Sequence, residues 1–142
     1  MLYLIGIGLG DEKDLTINAR ETIKKCDFVY LENYTSYLNT NLKKLEKLVG
    51  KTIIVSGRNF VEVENQILDN AKNNNVAFLV KGDVFSATTH VDIFIRAKQA
   101  GVNCKILHNA SIITAVGDTG LSLYKFGKVV SIPFDNDLID SP

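Results

Sequence analysis

The sequence predicts an α/β fold, a mostly parallel sheet with helices on both faces. Three observations predict it: short apolar runs recur along the chain, each run is continuous and not alternating, and amphipathic segments lie between them. Strands covered on both faces need apolar side chains in both directions, which gives unbroken runs. Strand–helix–strand alternation then selects the α/β class.

The candidate strands, in order, are Leu2–Ile7, Phe28–Leu31, Thr52–Val55, Val76–Val80, Asn103–Leu107 and Val129–Ile132. Thr16 is placed to cap a helix with Ala19, Ile23 and Cys26 inward and Arg20, Glu21, Lys24 and Lys25 outward. Phe60, Val63, Ile67, Leu68 and Ala71 share helical spacing, and Asn73–Asn75 ends that helix. Another helix is expected from Ala87 to Ala100, stopped by Gly101. After the last strand the chain runs FDNDLIDSP, polar and turn-rich, as an interdomain linker begins. The expected organisation is therefore a domain over 1–134 and the start of a linker over 135–142, with a second domain beyond.

A chain of 142 residues has the length of one domain, and 46% hydrophobic with 23% charged residues suits a globular one. Sixteen basic and sixteen acidic residues cancel, so charge makes no case for nucleic acid or an anionic membrane as partner. The opening MLYLIGIGLGD is too short for a membrane span and lacks a basic flank, so a cytoplasmic location is expected. Cys26 and Cys104 form no CxxC and read as reduced thiols. With His90 and His108 they show no ligand-like spacing, and no metal is expected.

Three loops place glycine or small polar residues directly after a strand, where open α/β sheets build ligand sites. They are GIGLGDEKD with Gly6, Gly8 and Gly10, KGDVFSATTH with Gly82, Asp83 and Ser86, and HNASIITAVG with Asn109 and Ser111. A dinucleotide fingerprint would need GxGxxG and a later acid for the ribose. Glu32 could serve as that acid, but the glycine spacing departs from the pattern. Each residue also has a plainer reading: Asp83 as a turn former, Asn109 and Ser111 as helix caps, His90 as a packing or surface residue. No nucleophile–base pair is visible. A branched side chain at Gly82 is expected to block ligand approach more than folding. On pattern alone this is an α/β domain holding a small ligand at its strand ends.

At these same loops the chain resembles the diphthine synthases, tetrapyrrole-methylase-like methyltransferases. The segments that carry the resemblance are MLYLIGIGLGDEKDLT, YLENYTS, GDVFSATTH, HNASI and LYKFGKVVSIPF, in that order along the chain. Val84 and Ser86 stand where the family pattern has proline and glycine. The resemblance implies an amino-terminal half of a two-domain, homodimeric enzyme with S-adenosylmethionine in the cleft between domains. Cofactor contacts would fall on Leu9, Asp83, Ser86, Ser111 and Ile112. The implied substrate is elongation factor 2, at a histidine carrying a 3-amino-3-carboxypropyl group whose amino group is methylated, with a methyl ester on the carboxylate in some members. No catalytic residue is implied in this half, which alone is expected to be inactive. The alternative is a stand-alone ligand-binding or dimerisation module without catalysis.

Overall fold

A computed structural model of the chain describes residues 1–36, 41–86 and 88–130. Strand β1 (Leu2–Gly6) leads through a short 3-10 turn to α1 (Ile17–Lys24), then β2 (Phe28–Glu32), α2 (Leu42–Val49) and β3 (Ile54–Ser56). Two helices, α3 (Arg58–Glu62) and α4 (Gln66–Asn73), precede β4 (Val76–Val80). Helix α5 (Val91–Gln99), β5 (Cys104–Leu107) and the single turn α6 (Ile112–Ala115) follow. The five strands pair in the order β3-β2-β4-β1-β5, every pair parallel.

The period of two in a strand splits the core into two layers. Leu2, Leu4, Val76, Phe78 and Val80 point to one face, under Val61, Ile67, Leu68, Ala71, Ile93 and Ala97 of α3, α4 and α5. Ile5, Ala77, Leu79 and Leu31 point to the other, under Ala19, Ile23, Leu45 and Val49 of α1 and α2. Central β4 is buried at every position, as its unbroken run requires. Edge strand β3 differs: Ile54 and Val55 are 45% and 47% exposed, so a continuous apolar run there does not mean burial on both faces.

Helix α1 matches its expectation, with the Thr16 hydroxyl accepting from Ala19 N–H at 3.1 Å. Gly101 ends α5 with φ +70°. Three elements depart from expectation. The helix expected through Phe60–Ala71 is two, broken at Val63–Asn65, with Val63 68% exposed and Val61 buried instead. Arg96 of α5 donates to the Val61 and Glu64 carbonyls and to Asn65 Oδ1, satisfying backbone that the break leaves unpaired. The helix expected from Ala87 begins at Val91, because Asp83 and Thr88 hold the intervening backbone in turns; Ala87 lies outside the described residues. Val129 and Val130 form no strand and are 62% and 71% exposed, while the rest of that expected strand and the 135–142 linker lie outside the described residues. Helix α2 was not anticipated, although the Asn41 cap and the αL Gly50 bracket it.

Candidate functional site

Chain β1 leaves towards β2 through α1 on one face, and β4 leaves towards β5 through α5 on the other. Strands β1 and β4 are neighbours whose connections diverge to opposite faces, the switch point at whose carboxyl ends open α/β sheets place ligand crevices. All five strands are parallel, so the loops after β1, β4 and β5 emerge on one edge.

Those loops are tied into one body. Gly8 N–H donates to the Gly82 carbonyl at 3.2 Å, and Gly82 N–H to the Gly8 carbonyl at 2.9 Å. The Asn109 amide Nδ2 donates to the Gly6 and Asp14 carbonyls at 3.1 and 3.0 Å, which pins the third loop to the first. Gly6 must be glycine for closeness: a Cβ there would lie 2.6 Å from the Gly82 carbonyl oxygen. Gly82 must be glycine for conformation, with φ +75°. A side chain at Gly82 would therefore strain the backbone, so its cost falls on folding as well as on ligand approach.

Asp83 is the hub. Its carboxylate accepts from Phe85 N–H at 3.2 Å and Ser86 Oγ at 3.1 Å on one oxygen. The other accepts from Asn109 N–H at 3.1 Å and pairs with His108 Nδ1 at 2.8 Å. Burial raises the Asp83 pKa, but the His108 bond and the donors from Asn109, Phe85 and Ser86 outweigh it and hold the carboxyl below its ordinary value. Beside it Lys81 Nζ donates to the Gly10 carbonyl at 2.8 Å; burial lowers the Lys81 pKa against the opposing pull of Asp14 and Asp11.

Four of the five candidate residues meet here. Asp83 holds Ser86, and a Cβ built on Gly82 would lie 3.6 Å from Leu9 Cδ2 and 4.0 Å from Ser111 Cα. Ser111 is buried at the start of α6. Ile112 is 61% exposed and lines a different depression, a groove of about 680 Å³ shared with Ile113, Leu123, Phe126 and Val130. Leu9, Asp83, Ser86 and Ser111 are not among the described residues that line that groove. The Asp83 carboxylate points into protein donors, and the stretch after α6 shapes its own apolar hollow. In this stretch Leu121, Tyr124 and Val129 are 61%, 85% and 62% exposed.

Glu32 is unsuited to a ribose: it is buried, and its oxygens accept from Tyr34 N–H, Thr35 N–H and Thr35 Oγ1 at 3.1, 3.0 and 2.7 Å. His90 is a packing residue, 1% exposed, against the Phe78 ring and with Nε2 3.3 Å from the Tyr34 hydroxyl. Burial lowers its pKa, opposed by Glu32, Glu62 and the Val84 carbonyl. His108 is the residue that sequence reading missed. Its signal was position alone: it precedes Asn109 at the end of β5.

Residues 1–138 match the family of Tetrapyrrole (Corrin/Porphyrin) Methylases. The chain is 51% identical over 138 residues to the diphthine methyl ester synthase of Homo sapiens, covering 96% of this chain and 48% of that protein. It is 51% identical over 139 residues to that of Saccharomyces cerevisiae, covering 96% and 46%. A crystal structure of diphthine synthase superposes with a TM-score of 0.85 at 38% identity, over 89% of this chain and 52% of the other. The chain thus spans about half the length of these relatives, matching their amino-terminal half. By a match over nearly its whole length, the chain belongs to the tetrapyrrole methylase family.

Proposed function

We propose that the chain supplies the S-adenosylmethionine-binding half of a methyltransferase in diphthamide biosynthesis. The acceptor in this reading is the amino group of the 3-amino-3-carboxypropyl-histidine of elongation factor 2, with its carboxylate as a further acceptor. Cytoplasmic residence, a homodimer and inactivity of this half alone belong to the same proposal. The observation that carries it is the joining of three loops at the β1–β4 crevice, through the Gly8–Gly82 bridge and the Asp83 and Asn109 hydrogen bonds. The convergence of the loops supports such a ligand: Gly82 sits between Leu9 and Ser111, so groups after β1, β4 and β5 meet at one point of the strand edge. Leu9, Ser86, Ser111 and the loop held by Asp83 would line it, and Ile112 would meet it only from the groove side.

Bound there, the sulfonium supplies an activated methyl group and a good leaving group. The protein's contribution is then positioning, and the rigid loop junction suits that. The test is a chimaera in which this chain replaces the matching half of the Saccharomyces cerevisiae relative. Micromolar S-adenosylmethionine binding, far tighter than NAD binding, and labelled methyl transfer to elongation factor 2 are expected. Preference for NAD, or no binding of either, would overturn the reading.

A further inference from the structure

We infer that His108 is the proton acceptor for the methylated amine and that Asp83 is its positioning residue, an inference resting on the methyltransferase reading above. An ionised carboxylate only accepts hydrogen bonds, so His108 Nδ1, 2.8 Å from the buried Asp83 oxygen, carries the hydrogen. Nε2 is then the ring nitrogen that can accept a proton. The His108 side chain is 66% exposed, against 9% for Asp83, so the ring is anchored at one nitrogen and open at the rest. The Phe85 ring stands edge-on to it, with centroids 6.5 Å apart. Among the described residues, Asp83 and Phe85 on the β4–α5 loop face the ring. Asp83 also sets the loop that carries Ser86 and grips Asn109 N–H, so the base and the ligand loops are placed by one carboxylate.

An amine in water is mostly the ammonium, which has no lone pair to attack with. His108 Nε2 takes one ammonium proton, and the imidazolium so formed is balanced by Asp83. The amine nitrogen then shares its pair with the methyl carbon, the carbon–sulfur bond breaks, and its electron pair stays on sulfur as a neutral thioether. The exposed imidazolium passes its proton to water before the next round. Each methyl transfer to nitrogen thus removes one proton, and transfer to a carboxylate removes none.

Two measurements test this. In the chain itself, imidazole nitrogen spectra of the neutral ring are expected to show His108 with its hydrogen on Nδ1 and a bare Nε2, with that preference lost in Asp83→Asn. The opposite tautomer would overturn the inference. In the chimaera, single-turnover methyl transfer to elongation factor 2 is read against pH. His108→Gln is expected to slow transfer to nitrogen by roughly 10²–10⁴-fold, with S-adenosylmethionine affinity within about twofold of the parent. The rising limb should move up in pH toward that of the free amine. Transfer by His108→Gln at the parental rate and pH profile would sink the His108 role alone. A parent that binds no S-adenosylmethionine would sink the methyltransferase reading and this role with it.

Discussion

Gly6→Ala is the sharpest perturbation of the loop junction, because its cost can be worked from contacts. The new methyl would lie 2.6 Å from the Gly82 carbonyl oxygen, 3.1 Å from Asn109 Cβ and 3.1 Å from Asp83 Cα. Ordinary carbon contacts need about 3.5 Å, so one loop must move by close to an ångström. Nothing soft is available to move, since the nearest atom is backbone and Gly82 is bonded to Gly8 on both sides. Overpacking costs about 1–3 kcal/mol, and stretching one bridge hydrogen bond adds about 0.5–1.5 kcal/mol. A loss near 3 kcal/mol lowers the melting temperature by on the order of 10 °C in a domain of this size. Gly82→Ala is the control: its methyl meets only ordinary contacts of 3.6 Å and beyond, leaving the left-handed backbone penalty of about 1–2 kcal/mol. Thermal and urea unfolding by circular dichroism measure both. A Gly6→Ala variant as stable as the parent, or milder than Gly82→Ala, would refute the close junction.

Asp83→Asn should cost about 1–3 kcal/mol in urea unfolding, since an amide must oppose one of four donors; a neutral effect would deny Asp83 its role as hub. The Asp83 pKa lies below its ordinary 3.8, so the stability it contributes is present above that value and lost as pH falls through the folded-state pKa. The His90 pKa is lowered from 6.5, so the unfolded chain takes up its proton first and stability declines as pH drops below about 6.5. His90→Phe should flatten that decline, and an unchanged slope would assign it elsewhere. The chain alone should unfold in one cooperative transition and transfer no labelled methyl; robust turnover would contradict the need for a second half.

Much of the fold was legible because burial on both faces writes itself as unbroken apolar runs, as in Val76–Val80. The same rule overreached at Ile54 and Val55, where an edge strand keeps apolar residues in water. The break at Val63 was invisible because Arg96, whose donors satisfy the Val61 and Glu64 carbonyls there, lies far along the chain on α5. At the site, the glycine and small polar residues after each strand were readable. What they do to one another was not. Asp83 and Asn109 bond across loops remote in sequence, and the pairing of His108 with Asp83 exists only after β4 and β5 lie in one sheet.

The most direct test of the central claim is a nitrogen-15 chemical-shift map of the labelled chain titrated with millimolar S-adenosylhomocysteine. The account expects saturable shifts concentrated on Leu9, Gly82, Asp83, Ser86 and Ser111 together, with β3 and α2 silent. Shifts confined to the Ile112–Val130 groove, or none at saturating ligand, would contradict a cofactor site at the β1–β4 crevice.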